Sequence, residues 1–260
     1  MTKVNPAKFI GGNNIFDSFE FNEVILYGGE FDVNFYKREL FEIFNIPFPD
    51  SLINAVVKRQ AEYLAGRYMA INALKIMGRN IFDIPTGKHR SPIWSEGVVG
   101  SITHTHSTAF CAVAFIKDVQ YLGIDYENWL PPDTIEQIRG SILNSNEEIL
   151  LRRCKMGIEK AFTLAFSAKE SLFKALYPSV GYYFDFMAAE ITYVSVRSKK
   201  FELKLKQQLT PSLSVGKTYT GYFSCDLRGV NTLIANTCRN RSWRLPKKCN
   251  GHTLHNRRHV

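Results

Sequence analysis

The sequence lacks the features that hold small extracellular folds together or anchor a chain in a membrane. Only five of its 260 residues are cysteine, and they are scattered with no Cys-x-x-Cys spacing. An odd, dispersed set of thiols argues against a disulfide framework and against a zinc cage. The longest apolar run, residues 109–116, is far shorter than the ~18 residues that a membrane helix requires. Because the N-terminus also lacks the apolar core of a signal peptide, we expect a cytoplasmic protein without a membrane span.

The chain has fewer acidic than basic residues, and most of the excess positive charge lies near the C-terminal end of the sequence. The chain has 24 Asp and Glu against 33 Lys and Arg, a formal net charge of +9. Seven of the basic residues and none of the acidic ones lie in residues 239–260, so residues 1–238 carry 26 basic and 24 acidic groups. A nucleic-acid-binding module led by the basic tail is a rival hypothesis, but a nearly neutral body does not favour it.

Two long helices are predicted from apolar residues at three- and four-residue spacing. The first runs from Ser51, a good N-cap, to Met77, with Gly78 as its stop. The second runs from about Ile158 to Leu176, with Pro178 beyond its end. Both helices are long enough to cover one face of a sheet.

Alternating apolar residues predict strands, and short polar stretches separate them. We expect a turn at Gly28-Gly29 and a helical capping box formed by Ser145 and Glu148. The predicted strands span residues 23–27, 98–103, 108–116, 121–126, 191–196, 201–205, 218–226 and 230–238, of which the second and third form a hairpin.

Each half of the chain therefore combines one long helix with antiparallel strands. This pattern predicts an α+β fold of two similar lobes in a pseudo-twofold arrangement, each a helix packed on a mainly antiparallel sheet. The expected divisions are residues 1–118 for the N-terminal lobe, 119–238 for the C-terminal lobe and 239–260 for a flexible basic tail. Two lobes in one chain can form a site at their interface as a monomer.

Two carboxylates follow an apolar strand in the sequence GIDYE. Asp125 and Glu127 are two residues apart, so on a strand they project from the same face. Such a pair suits a hard divalent cation such as Mg²⁺, which takes oxygen ligands. By itself, this spacing is more often an exposed pair without a metal.

A second group lies on the second helix, in the sequence FSAKESLFK. Glu170 and Lys174 are one helical turn apart on a common face. They form either an exposed salt bridge worth about 0.3–0.5 kcal/mol or a functional pair, in which Glu170 is a third metal ligand or a base and Lys174 binds a phosphate.

The sequence GSITHT places hydroxyl groups and an imidazole at the end of a predicted strand. Thr103 and His104 can donate hydrogen bonds to phosphate oxygens there. The alternative is that His104 is a structural or surface residue, which is the more common situation for a single histidine.

Taken in order, GSITHT, GIDYE and FSAKESLFK resemble the three signature motifs of the 4′-phosphopantetheinyl transferases. The upstream sequences RQAEYLAGR (residues 59–67) and RSPIW (residues 90–94) also match the family pattern. The similarity covers residues 57–178 and is greatest to the two-lobed members that resemble enterobactin synthase component D. Two positions depart from the family: Tyr126 replaces a small aliphatic residue, and Phe166 replaces a tryptophan.

The resemblance implies an enzyme that transfers the phosphopantetheine arm of coenzyme A to a serine of an apo carrier protein and releases adenosine 3′,5′-bisphosphate. The implied partner is a carrier domain of a siderophore-producing peptide synthetase, and the implied cofactor is Mg²⁺. A pseudoenzyme that only binds coenzyme A or a carrier protein is the alternative.

The resemblance also implies roles for individual residues in an active site between the lobes. The metal would be held by three carboxylates, and the serine proton would pass to Glu170 or to a water that it orients. The implied metal ligands are Asp125, Glu127 and Glu170; the catalytic residues are Glu170, Lys174 and His104; and the coenzyme A contacts are Arg59, Arg67, Arg90, Thr103, His104 and Lys174.

Overall fold

The computed structural model of the chain describes residues 4–15, 19 and 22–237. The basic tail at residues 239–260 lies outside this range, so its flexibility stays a prediction. Within the described residues, no helix combines the length and the apolar character needed to cross a membrane.

The N-terminal lobe is a four-stranded antiparallel sheet with the order β1-β2-β4-β3, packed on a twenty-residue helix, α3. The helix begins at Val57 rather than at Ser51, which belongs to a short 3₁₀ helix, and it ends before Gly78 as predicted. The elements are α1 (Pro6–Phe9), β1 (Ile10–Ile15), β2 (Val24–Phe31), α2 (Leu40–Ile43), α3 (Val57–Ile76), β3 (Val98–His104) and β4 (Thr108–Phe115).

The C-terminal lobe is a five-stranded antiparallel sheet with the order β5-β9-β8-β7-β6, covered by the long helix α6. Strands β6 to β9 form the predicted meander. The elements are β5 (Val119–Asn128), α4 (Pro132–Ile142), α5 (Ser145–Arg152), α6 (Ile158–Val180), β6 (Ala189–Ser195), β7 (Lys200–Leu205), β8 (Thr218–Cys225) and β9 (Gly229–Thr237).

The two lobes share a connection pattern that the sequence alone did not reveal. In each lobe a strand is followed by the long helix and then by antiparallel strands, the last of which returns to pair with the first. Strand β2 pairs with β4 in this way, and β5 pairs with β9. Mixed helices and antiparallel sheets in two lobes confirm the predicted α+β class.

The lobes meet where the edge strands β3 and β5 approach each other. Side-chain hydroxyls bridge the two edges: Ser101 Oγ accepts a hydrogen bond from the Ile124 amide (3.1 Å), and Thr103 Oγ1 accepts one from the Tyr126 amide (3.3 Å). A buried apolar cluster with members from both lobes, including Phe110 of β4, supports this junction. The polar ends of β3 and β5 are therefore held side by side.

Three further local predictions were wrong. Gly28 and Gly29 lie inside β2, and Gly28 is required because a Cβ there would collide with the Phe110 ring. Helix α6 continues through Pro178 to Val180 and ends at Gly181, which has φ +74°. The capping box is one residue earlier than predicted, and its members are Asn144 and Glu147.

Candidate active site

The site lies at the lobe junction, where α6 crosses the end of β5. The close approach depends on Gly123, because a Cβ at this position would collide with the backbone oxygen of Ser171. With that contact available, β5 brings Asp125 against the Lys174 side chain of α6. A small residue in the GIDYE sequence thus sets the distance between two of the predicted motifs.

The centre of the site is a compact group formed by Thr103, Asp125 and Lys174, one residue from each motif. Lys174 Nζ lies 2.6 Å from Asp125 Oδ1 and donates a hydrogen bond to Thr103 Oγ1 at 3.2 Å. The Thr103 hydroxyl in turn donates to Asp125 Oδ1 at 3.0 Å. Asp125 and Thr103 are buried, at 2% and 4% exposure. The structure therefore brings all three signature sequences together.

Glu127 and Glu170 flank this group and are partly buried. Burial, together with the negative charges of Asp125 and Glu170, raises the pKa of Glu127 to about 8. Burial also raises the pKa of Glu170, and Asp125 adds to this effect. Burial alone would lower the pKa of Lys174, but the surrounding carboxylates outweigh it and raise that pKa. The three carboxyl groups thus repel one another and need more positive charge than one lysine provides.

The donor set fits a hard divalent cation. Asp125 Oδ2 is buried and has no hydrogen-bond partner within the described part of the chain, which is a costly state for a carboxylate oxygen. All the candidate ligands are carboxylate oxygens, the type that Mg²⁺ prefers. In residues 4–15, 19 and 22–237, no three His, Cys, Asp or Glu side chains are already arranged to hold a metal ion. The lysine ammonium takes up one Asp125 oxygen instead.

His104 faces away from this group, toward helix α3. Its Nε2 lies 3.1 Å from Arg59 Nη1. Because a guanidinium can only donate, Nε2 is the acceptor and the neutral ring carries its proton on Nδ1. Burial and the nearby charges of Arg59 and Lys174 lower the pKa of His104 to about 4. The imidazole is therefore neutral near pH 7, and it orients Arg59.

The three predicted arginines surround one cavity of about 450 Å³ beside the lobe junction. Arg67 is buried, stacks over the Tyr63 ring with its guanidinium carbon 4.5 Å from the ring centroid, and donates to Thr86 Oγ1 at 3.1 Å. Arg90 follows His89 in a short turn where both residues have positive φ. Sequence reasoning missed Thr86 and Tyr63, although Tyr63 lies within the RQAEYLAGR sequence.

A second cavity of about 280 Å³ runs between the lobes and shares Arg90 with the first. Its walls are largely aromatic, and Glu170 and Lys174 lie on one side. Trp94 packs against Gly100, where a Cβ would lie 2.6 Å from the indole ring. Trp94 belongs to the RSPIW sequence, whereas Tyr177 and Tyr183 of the wall had no sequence signal. An arginine-lined cavity thus adjoins an apolar cleft that has Glu170 and Lys174 in its wall.

Comparison with known proteins gives two matches that together span both lobes. Residues 48–114 match the family model described as 4′-phosphopantetheinyl transferase N-terminal domain. Residues 121–225 match the one described as 4′-phosphopantetheinyl transferase superfamily.

Individual proteins are also similar to this chain. Enterobactin synthase component D of Salmonella typhimurium is 32% identical over 207 residues, which cover 79% of this chain and 83% of that protein. Enterobactin synthase component D of Escherichia coli K12 is 38% identical over 148 residues, 56% of this chain and 68% of that protein. The 4′-phosphopantetheinyl transferase Svp of Streptomyces mobaraensis is 38% identical over 152 residues, 55% and 60% of the two chains.

Proposed function

Since this chain belongs to the 4′-phosphopantetheinyl transferase superfamily, we propose that it loads a serine of an apo carrier domain with the phosphopantetheine arm of coenzyme A, using Mg²⁺. Coenzyme A is the family's substrate. The observation that carries the proposal is the grouping of Asp125, Glu127 and Glu170 around Lys174, beside the apolar cleft that Glu170 and Lys174 line.

Three carboxylates are proposed to hold the metal: Asp125 through its unpartnered Oδ2, together with Glu127 and Glu170. When bound, Mg²⁺ neutralises charge on the pyrophosphate of coenzyme A and on the departing phosphate. The raised pKa of both glutamates supports this assignment, because such carboxylates gain most from a nearby cation.

The basic residues are proposed to bind the anionic end of coenzyme A. Arg59, Arg67 and Arg90 surround a cavity that suits the 3′-phosphate and nucleotide, since guanidinium groups bind phosphate bidentately. Lys174, which lines the cleft, is proposed to contact the pyrophosphate, with the Thr103 hydroxyl beside it. His104 contributes by orienting Arg59 and by gaining a proton when a phosphate approaches.

The proposed reaction forms one P–O bond and breaks another. The carrier serine Oγ attacks the β-phosphorus of coenzyme A, and the bond to the bridging oxygen breaks, so that adenosine 3′,5′-bisphosphate leaves. The serine proton passes to Glu170, or to a water that Glu170 orients. A carboxylate that holds the metal is a weak base near neutral pH, and a water that Glu170 orients is then the alternative acceptor.

The proposed partner is a peptidyl or aryl carrier domain of a siderophore-producing peptide synthetase. Support comes from similarity to proteins named enterobactin synthase component D. We further propose that residues 1–118 and 119–238 act as the two lobes of a monomer, because both contribute to the site.

The experiment is to incubate the protein with coenzyme A, Mg²⁺ and an apo carrier protein, then to measure the intact mass of the carrier. A gain of one phosphopantetheine supports the proposal, and loss of this gain with a chelator supports the metal. Binding of coenzyme A without any mass gain on peptidyl, aryl or acyl carrier proteins would instead identify a pseudoenzyme.

A further inference from the structure

A buried ion pair lies directly beside the proposed metal site and has no role in the proposed chemistry. Lys169 of α6 and Glu147 of α5 are 2% and 0% exposed at their side chains, with Lys169 Nζ 2.8 Å from Glu147 Oε1. Lys169 immediately precedes Glu170. A charged pair at this depth needs a physical reason.

Every proton of the ammonium group is used. Besides Glu147, Lys169 Nζ donates to the carbonyl oxygens of Ile142 at 2.7 Å and Phe186 at 3.1 Å. The Glu147 carboxylate accepts from the amides of Asn144 at 2.9 Å and Ile191 at 2.7 Å. This network, which we call the Lys169 clamp, joins α6 to the end of α4, the start of α5, the loop before β6, and β6 itself.

A buried ion pair is by itself weak evidence for a contribution to fold stability. Replacing a buried ion pair with apolar side chains of similar size is often neutral or even stabilising, because burial costs each charge its hydration. Apolar packing does not define the rotation of a helix about its axis, or its position along that axis, as sharply as directed hydrogen bonds do. Three such bonds from the Lys169 side chain define both.

The opposite contact of α6 is equally tight. On β5, Gly123 meets the α6 backbone at Ser171 and Ala175 without room for a Cβ. Helix α6 is therefore fixed between β5 and the Lys169 clamp. Adjacent helical residues differ by about 100° in direction, so the orientation of Lys169 also sets the direction in which Glu170 leaves the helix.

We propose that Lys169 and Glu147 are positioning residues, which fix the rotation of α6 so that the Glu170 carboxylate faces the same site as Asp125 and Glu127. This inference rests on the proposed function. Neither residue touches the substrate. The Lys169 clamp restricts the movement of α6 and so preorganises the metal ligand Glu170. A displacement of a ligand by about 1 Å is enough to impair such a site.

The main test is the double variant Glu147→Leu/Lys169→Met, which removes both charges and conserves net charge. Mn²⁺ affinity, measured by electron paramagnetic resonance in the presence of coenzyme A, is expected to fall about tenfold, as in sites whose supporting contacts are removed. The melting temperature should fall as well, because the amides of Asn144 and Ile191 and the carbonyl groups of Ile142 and Phe186 lose their partners. A purely structural pair would lower the melting temperature but leave the Mn²⁺ affinity of the folded protein unchanged.

Two further variants make the result specific. Arg139→Met removes another ion pair of the same lobe, within α4, which has Arg139 Nη1 3.5 Å from Glu136, and it should leave Mn²⁺ affinity unchanged. Glu147→Asp keeps both charges but shortens the side chain that meets Lys169 by one methylene group, so it should weaken Mn²⁺ binding. This variant tests the proposal even if the double variant folds poorly.

Wild-type Mn²⁺ affinity in a folded double variant, or in Glu147→Asp, would overturn the positioning role. The proposed function is judged separately by the wild-type protein: if it binds no Mn²⁺ and modifies no carrier protein, the metal assignment itself fails. If the wild type is active and the clamp variants match it, only the present inference fails.

Discussion

Lys174 Nζ lies 2.6 Å from Asp125 Oδ1, while the other oxygen of the same carboxylate is buried with no hydrogen-bond partner in the described residues. One face of Asp125 is thus neutralised by the protein, and the other is left for a ligand. The lysine offsets part of the repulsion among the carboxylates, and it also competes with any cation that approaches Asp125.

Lys174→Met is therefore expected to separate metal affinity from coenzyme A affinity. Without the ammonium group, Mn²⁺ should bind the protein alone about tenfold more tightly. This change in binding free energy is smaller than the interaction energy of two unit charges 4 Å apart, which is roughly 4 kcal/mol at an effective dielectric constant of 20. Coenzyme A should bind more weakly, because a phosphate contact is lost.

Electron paramagnetic resonance of Mn²⁺ and calorimetry with coenzyme A measure the two affinities. Lys160→Met, on an exposed part of the same helix, is the matched control and should change neither. Equal Mn²⁺ affinity in Lys174→Met and wild type would show that the lysine does not compete for Asp125.

Glu170→Gln should lower the rate of carrier modification by at least about 100-fold, the lower range for loss of a positioned acid or base. The fold should not suffer. Because the pKa of Glu170 is raised in the folded protein, its charged form opposes folding above the ordinary carboxyl pKa, and a neutral isostere removes that cost.

Carrier mass gain over time and a thermal melt test both parts of this prediction. Glu159→Gln, an exposed position in the first turn of the same helix, should retain the wild-type rate. Full activity of Glu170→Gln would remove the glutamate from the metal and base assignments alike.

His104 should titrate near pH 4 in the protein without ligand, well below the usual value of 6.5. Between these two pH values the unfolded chain binds more protons than the folded one, so this histidine's contribution to stability is complete above pH 6.5 and is lost as the pH falls toward 4. Adding adenosine 3′,5′-bisphosphate should move the midpoint upward, because a phosphate stabilises the imidazolium.

Nuclear magnetic resonance of the imidazole protons follows this titration directly, and His104→Gln identifies the signal. A midpoint near 6.5 in the free protein would contradict the account of His104 as a neutral acceptor for Arg59. No upward shift with the bisphosphate would place the phosphate elsewhere.

Local spacing predicted which residues share a face, because each motif lies on one regular element, whereas the resemblance to the family implied that the three motifs form one site. The two-residue repeat of a strand placed Asp125 and Glu127 on one face, and the helical repeat placed Glu170 beside Lys174. Contacts between distant segments were not predictable. The Lys174 to Asp125 ion pair and the Glu147 to Lys169 pair each depend on how α6 lies in the C-terminal lobe.

The same limit explains the errors. The Gly28-Gly29 pair is typical of a turn, but Gly28 lies in a strand, where the Phe110 ring of the neighbouring strand leaves no room for a Cβ. Arginine is usually a surface residue, yet Arg67 is buried because Thr86 and the face of Tyr63 receive its guanidinium group. Phe110 and Thr86 are distant in the sequence from Gly28 and Arg67, so no local pattern records these contacts. Tyr63, one helical turn before Arg67, is the local partner.

Deleting residues 239–260 should leave carrier modification intact at moderate salt, because none of the proposed site residues lies in the tail. At low salt the full chain should modify an acidic carrier protein faster than the truncated one, since basic groups accelerate association mainly at low ionic strength. Loss of all activity on truncation, with the fold retained, would give the tail a direct role.

Gly123→Ala should damage both stability and activity, because the added methyl group collides with the Ser171 carbonyl and presses β5 away from α6. Overpacking of this kind costs about 1–3 kcal/mol, and the displacement separates Asp125 from Lys174, so carrier modification should fall more than the melting temperature alone explains. Gly140→Ala is the control: it lies in α4, no described atom is within 4 Å of the added Cβ, and it should stabilise the helix by about 0.5–1 kcal/mol. A Gly123→Ala protein with wild-type stability and rate would mean that the contact between β5 and α6 does not set the geometry of the site.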